Sequence, residues 1–468
     1  MKQAQAGEAI SPLMSALASY IAATPRRALP SEVVERAKLH LLDTLAAMVS
    51  GAPLLPGRRA IDYVTALGGN PEATIVTTGV RTNVVNAALA NGMLAHADET
   101  DDAYYLALVH PGCSVVPAAL AMAERERSTG RELLRAIVLG YDLCTRISKA
   151  LGIEHFRSAG HSTHSFGGTF GAAAAAGALV RIDQRQARHM LSYAAQQASG
   201  LSCWARDVEH VEKAFDFGGM PARNGVTAAS MVAAGFTGVE DVFSGDRGFL
   251  HAFAPFARPR ELVALLGSRY EIMHTAIKRW PVGYPIQAPL DALATLIERH
   301  RIEAREVERV RITVDEQGAR TVSGRQMADI NLQYLTAIML LEGDISFEAS
   351  HDPARLRDPQ AAALKARVEL VGSRELSKAK TTQAIVEITL ARAQGRSKST
   401  VVRHHTRAVL GSATRPMTRA DLERKCLPLL EPGLGARRAR GLIDAVWRID
   451  RLDDVRGLRR FLAVSAAR

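Results

Sequence analysis

Apolar positions recur at three- and four-residue steps along most of the first 265 residues. After Pro30, with Ser31 placed to cap the start, Val34, Ala37, Leu41, Leu45 and Met48 keep that rhythm until Gly51, which predicts one long helix. Residues 129–150 and 184–201 repeat the pattern. Two stretches are built largely from small residues, Gly171 to Gly177 and Val226 to Gly235. Small side chains let helix backbones approach closely, so both are expected to be central and buried. Between about 270 and 404 the period drops to two. Val310, Ile312 and Val314 alternate with polar partners, Val368 and Leu370 do so briefly, and Ala384, Val386, Ile388 and Leu390 do so again before Gly395 and Val401-Val402. Helices are expected among these strands at 286–300 and 327–342. Helical patterning then returns over 418–430 and 437–448. The expected fold is mainly α with an inserted α+β domain: helical over 1–268, α+β over 269–404, and helical again over 405–468, the last part packing back on the first.

Composition narrows the class. The 468 residues are 47% apolar and 23% charged, ordinary for a folded chain. The net charge of +11 comes from arginines scattered along the chain and concentrated near the C-terminus at Arg437, Arg438, Arg440, Arg459 and Arg460. This excess, scattered and concentrated at the C-terminus rather than gathered in one aromatic-studded basic tract, suits nucleic acid or an anionic small substrate equally well and demands neither. Cys113, Cys144, Cys203 and Cys426 form no C-x-x-C pair, so neither a zinc ribbon nor a disulfide scaffold is indicated. The first residues, with Lys2 and then Glu8, read as an amphipathic helix more than a signal peptide. The longest near-apolar run, Phe170 to Val180, is shorter than the roughly 20 residues a bilayer span requires. A cytoplasmic protein with no membrane partner is expected.

Candidate chemistry gathers at 91–117. His96, Asp98, Glu99, Asp101, Asp102, Tyr104, Tyr105 and His110 lie there between two apolar helical runs. Carboxylates this close raise one another's pKa, and a shared proton suits general acid or base work. The alternatives are helix caps and solvated turn residues, or oxygen ligands for a hard cation; the spacing lacks the glycine and distal glutamate of an EF-hand loop. Glycine pairs such as Gly167-Gly168 make neither a dinucleotide fingerprint nor a P-loop, so no cofactor and no metal is expected.

Three further stretches join that segment: Gly160-His161-Ser162-Thr163-His164-Ser165-Phe166-Gly167, then Glu212-Lys213-Ala214-Phe215-Asp216-Phe217-Gly218-Gly219, and Lys278-Arg279-Trp280-Pro281. With Asn91-Gly92, His96-Ala97 and His110-Pro111, and in this order from about residue 15 to 455, they resemble the MmgE/PrpD family. That family includes 2-methylcitrate dehydratase, cis-aconitate decarboxylase and an iminodisuccinate epimerase. The resemblance implies a large helical domain from both chain ends, a smaller α+β lid, a homodimer, and an active site in the cleft between domains.

Carried over by position, the resemblance places the family's first catalytic aspartate on Glu99, with Asp98 beside it and Asp101-Asp102 as the following pair. It places the family histidines on His110 and His161, with His164 an additional one, and the two lysines on Lys213 and Lys278. The chain departs from the family at Ala103, where a threonine is usual, at the Val282–Gln287 stretch, which lacks a histidine, and at Gln317-Gly318, where a tyrosine is usual. His161, His110, Lys213, Glu99, Asp98 and Asp101 are thus the expected catalytic residues. Lys278, His164, Asp102, Arg279 and Tyr284 are those expected to hold the substrate. Forming a carbanion or enolate beside a carboxylate calls for an imidazole as acid or base and for cations to steady the developing charge. The expected activity is that of a cofactor-independent lyase on a small di- or tricarboxylate, dehydrating a 2-methylcitrate-like 2-hydroxy acid. A cis-aconitate-type decarboxylase or an epimerase is the alternative within the family, and a non-catalytic anion- or nucleic-acid-binding homologue is the alternative outside it.

Overall fold

The computed structural model describes residues 10–352, 354–379, 381–391 and 400–463. Lys2, Glu8 and Gly395 therefore lie outside the described residues. Among the described residues the chain is mainly helical, with a mixed sheet of four strands and a short antiparallel pair, Ala73–Thr74 with Arg81–Thr82, and it divides into two compact units. The first comprises residues up to Ala97, Asp101–Thr275, and the chain from Arg419 onward; the second comprises Asp98–Thr100 and Ala276–Thr418. The second unit thus starts and ends later than the 269–404 read from periodicity. Local bonding explains both shifts. The short turn Glu271–His274 is tied to the first unit by its Glu271 amide, which donates to Asp142 Oδ1 at 2.6 Å. At the far end Gly411 accepts from the Ile277 amide at 3.1 Å, which keeps the segment beyond the last strand with the second unit.

In the first unit, helix Thr163–Leu179 is buried along its whole length. It packs on Gly130–Ala150, Gly112–Glu126, Gln184–Gln197 and Met220–Ala233. Small residues permit this: a Cβ on Gly171 would come within 2.6 Å of the Gly140 carbonyl, so the two backbones nearly touch there. Helix Gly130–Ala150 starts with a capping box between Thr129 and Glu132, and Gln184–Gln197 with one between Asp183 and Gln186. Helix Ser31–Gly51 begins differently from expectation. Ser31 is its first helical residue, Pro30 occupies the cap position, and no side chain caps it. The returning helix Arg419–Leu434 lies on Ser31–Gly51, where Lys425 forms a buried ion pair with Asp43. Burial pushes Asp43 up to about 6 while Lys425 pulls it down.

The second unit holds β1 (Val307–Asp315), β2 (Val368–Ser373), β3 (Ala384–Leu390) and β4 (Thr400–Thr406), in the order β2-β1-β3-β4. β1 runs parallel to β2, and β3 is antiparallel to both β1 and β4. The register sets Ile312 against Leu370 on one side and Val386 on the other. Alternate residues of β1 and β3 enter a core with helices Tyr284–His300 and Leu332–Glu342, which is why period two was visible in the sequence.

Candidate functional site

In the first unit, helix Val84–Ala95 is capped by Asn83, whose side chain accepts from the Asn86 amide at 2.9 Å, and it ends at His96. The next long helix starts at Gly112. Asp102 fixes the loop that precedes it. One of its oxygens accepts from the Gly112 amide at 2.9 Å; the other lies 2.5 Å from the Tyr141 hydroxyl and 2.6 Å from His40 Nδ1. Its neighbour Asp101 lies 3.0 Å from His96 Nδ1 and 3.2 Å from His110 Nδ1. The two adjacent carboxylates therefore do different work: Asp102 anchors the loop, and Asp101 orients two imidazoles.

Those imidazoles surround Phe217. Its ring stacks with His164 at 3.6 Å and with His96 at 4.3 Å, and meets His110 and Trp204 edge-on at 5.4 and 4.7 Å. Lys213 Nζ stands 5.2 Å from the Phe217 ring and 5.5 Å from Trp204. Phe217 sits on a π-helical turn, Phe215–Gly219, a distortion often found at functional sites. The turn can fit because two glycines meet: a Cβ on Gly218 would lie 2.0 Å from the Gly92 carbonyl. His210, 5.3 Å from His96, takes a left-handed backbone with φ of 63° just before this segment.

Electrostatics sharpen the picture. Burial first, then His110, Arg157, His96 and Lys213 nearby, hold the His164 imidazole well below its ordinary value, so it is neutral at physiological pH. Its Nδ1 has no hydrogen-bond partner among the described residues. Asp216, on the same π turn as Phe217, is pushed up to about 7 by burial and receives the Ser162 hydroxyl at 2.5 Å. That bond holds the strand entering helix Thr163–Leu179 and hence the first turn that carries His164.

The second unit carries its own cluster. Lys278 is fully buried and donates to the Glu99 carbonyl at 2.7 Å, with Glu99 Oε2 at 3.3 Å. Gln287 fixes the backbone around it. Its Oε1 accepts from the Arg279 and Trp280 amides at 2.9 and 3.2 Å, and its Nε2 donates to the Trp280 and Val282 carbonyls at 3.0 and 3.1 Å. Asp98 turns one oxygen to the Thr100 amide at 2.7 Å and the other toward His351 Nε2 at 4.0 Å. Tyr284 is half-buried, and burial raises its phenol pKa, partly offset by the Lys278 charge.

Comparison with known proteins now decides the family. Residues 15–261 match the MmgE/PrpD N-terminal domain and residues 280–450 the MmgE/PrpD C-terminal domain. The chain belongs to the MmgE/PrpD family. It is 25% identical over 383 residues to a cis-aconitate decarboxylase-like protein, oryM, of Aspergillus oryzae, covering 75% of this chain and 77% of that one. It is 26% identical over 287 residues to a cis-aconitate decarboxylase of Aspergillus terreus, covering 58% of this chain and 57% of the relative.

The residues expected from the MmgE/PrpD resemblance fall into three groups. His110, His164, Asp101 and Lys213 meet around Phe217, and Asp98, Glu99, Lys278 and Tyr284 lie in the second unit. His161 stands apart from both: it is in a backbone bridge with Leu201, and its ring stacks on Phe156 at 4.7 Å near Phe166 and Phe253. Because His161 precedes the helix in extended backbone, the three-residue spacing to His164 does not place the two on one face. Two residues expected to hold substrate have other work. Asp102 is fully buried with both oxygens bonded, and Arg279 is exposed, lying over Trp280 at 4.4 Å and 4.0 Å from Asp291. Phe217, His210, Trp204, Asp216, Gln287 and His351 were not foreseen. Phe217 and Asp216 lie inside a motif already singled out, whereas His351 has no local signal at all.

Within the first unit, one triad could be read as a metal site. Ligand atoms of His96, Asp101 and Cys113 lie within 4.8 Å of one another. The Cys113 thiol, however, donates to the His110 and Phe217 carbonyls at 3.2 and 3.4 Å, and burial pushes its pKa well up. A protonated thiol with its hydrogen so engaged is a poor metal ligand.

Proposed function

We propose that the protein is a lyase acting on a small di- or tricarboxylate, with its own side chains carrying the chemistry. The observation behind this reading is that each unit sets a lysine beside acid–base groups: Lys213 by the Phe217 ring among the imidazoles that Asp101 orients, and buried Lys278 on Glu99. Lysines suit the carboxylates of such a substrate, and a neutral imidazole such as His164 suits proton transfer at its carbon. In decarboxylation, the C–C bond to a carboxylate breaks, carbon dioxide leaves, and the electron pair left on carbon takes a proton. In dehydration, a base removes the proton beside a carboxylate and an acid protonates the departing hydroxide. Both need the same equipment.

The relatives named as cis-aconitate decarboxylases favour the first, on a cis-aconitate-like tricarboxylate. The order of the family motifs keeps the second, on a 2-methylcitrate-like 2-hydroxy acid. One assay separates them: the purified protein is incubated with cis-aconitate, 2-methylcitrate and citrate, while carbon dioxide release and formation of a new double bond are followed. Carbon dioxide from cis-aconitate supports decarboxylation, and a new double bond from 2-methylcitrate supports dehydration. Neither signal from any of the three would overturn the lyase reading.

A further inference from the structure

His351 ends the short helix Phe347–His351 in the second unit. Its ring stacks on Phe347 at 4.2 Å, and Nδ1 lies 2.9 Å from both the Phe347 carbonyl and the Ser350 hydroxyl. A carbonyl only accepts, so Nδ1 carries the hydrogen in the neutral ring and Nε2 is left as the basic nitrogen. Nε2 is buried, has no hydrogen-bond partner among the described residues, and faces two carboxylates, Asp98 Oδ2 and Asp329 Oδ2, each at 4.0 Å. The helix packs on the turn Ala328–Ile330, which brings Asp329 as its charged residue, while the Asp98–Thr100 segment brings Asp98 and Glu99.

A buried ring nitrogen with nothing to bond costs a histidine stability. This one has Nδ1 fixed and Nε2 open toward an acid. A separation of 4.0 Å is closed by a small rotation of the carboxylate, and such bonds commonly tighten only when substrate is bound. We propose that His351 is a positioning residue for Asp98: when Asp98 takes a proton from the substrate, His351 Nε2 accepts it from Asp98 Oδ2, leaving imidazolium beside carboxylate, and hands it back through Asp98 to the departing group or product before the next turnover. No other reactant is needed, since a single proton moves between Oδ2 and Nε2. The proposal rests on the lyase reading for Asp98's part in turnover, but the pairing itself does not.

The test has two arms. In the first, His351→Ala lowers kcat by about 100-fold with KM little changed, and added imidazole restores much of the loss. His351→Gln, which retains polar bonding and cannot carry a proton, is as impaired as the alanine variant, and Asp98→Asn is not rescued by imidazole. Near wild-type turnover in either His351 variant overturns the proposal, as does a loss that imidazole leaves untouched. The second arm needs no activity: a long-range proton–nitrogen spectrum of histidine-labelled wild type shows His351 with its hydrogen on Nδ1, and Asp98→Asn shifts the Nε2 resonance. A hydrogen on Nε2, or a resonance indifferent to Asp98→Asn, overturns the pairing even if wild type turns over none of the three acids, a result that would by itself sink only the lyase reading.

Discussion

His164 and His161 are three residues apart, yet the fold gives them different surroundings, and this difference makes the sharpest test of the site. His164 is stacked on Phe217 and neutral; His161 is stacked among phenylalanines. His164→Ala is expected to lower turnover of the folded protein by about 100- to 10,000-fold, the range for a general acid or base, beyond whatever Tm it loses with its ring contacts to Phe217. His161→Ala is expected to lower Tm through the lost ring contacts and to leave the turnover of folded protein near normal. The reverse pattern in matched melts and assays would return the role to His161. Asp216 gives a second test. Its folded pKa of about 7 lies above the ordinary carboxylate value, so the native state holds the proton longer than the unfolded chain. The stability it contributes is present below pH 4 and is lost as pH rises through 7. Melting wild type and Asp216→Asn from pH 4 to 8 should therefore show wild type losing ground to the variant as pH rises; parallel curves would mean that Asp216 titrates normally.

At the scale of elements, the π turn Phe215–Gly219 is the part most exposed to a single methyl group. Gly218→Ala would drive a Cβ into the Gly92 carbonyl, so the turn or helix Val84–Ala95 must move. Overpacking of this kind costs about 1–3 kcal/mol, and the same shift would displace Phe217 from between its histidines. The expected outcome is a lower Tm together with a disproportionate loss of activity, read by calorimetry and by the decarboxylation and dehydration assays. Unchanged activity in a destabilised variant would separate the turn from the chemistry. Gln287 shows how the second unit manages the same task without strain, spending all four bonds of one amide on the backbone around Lys278.

For the whole molecule, the net charge of +11 belongs with an anionic substrate under the proposed function. Raising salt should then lower kcat/KM while kcat stays nearly constant, because screening weakens the attraction that brings substrate in and not the bound state's short contacts. A salt-independent kcat/KM would show that the charge serves something else. No single helix among the described residues is long and apolar enough to cross a membrane.

Periodicity alone carried most of the architecture. Helices need a buried stripe and strands a buried face, and both leave a rhythm that survives in the sequence from Val34 to Val446. It placed β1, β3 and the small-residue helix Thr163–Leu179, because burial there depends on neighbours only a few positions apart; the second small-residue stretch is buried at Val226, Ala228, Ala229 and Val232 but exposed over Ala233–Gly235, where helix Met220–Ala233 ends at the surface. The order of short motifs then pointed to the family and nominated His110, Lys213, Glu99 and Lys278 as candidates. The sequence could not rank those residues, because partnership is a matter of distance in space. Asp101 and Asp102 are adjacent and look alike, yet only the fold brings Tyr141, His40 and the Gly112 amide to one and His96 and His110 to the other. His351 is the extreme case. It lies more than 250 residues beyond Asp98 in a stretch with no motif, and only tertiary packing, which sets a side chain against whatever surface the chain returns to, turns its Nε2 toward that carboxylate.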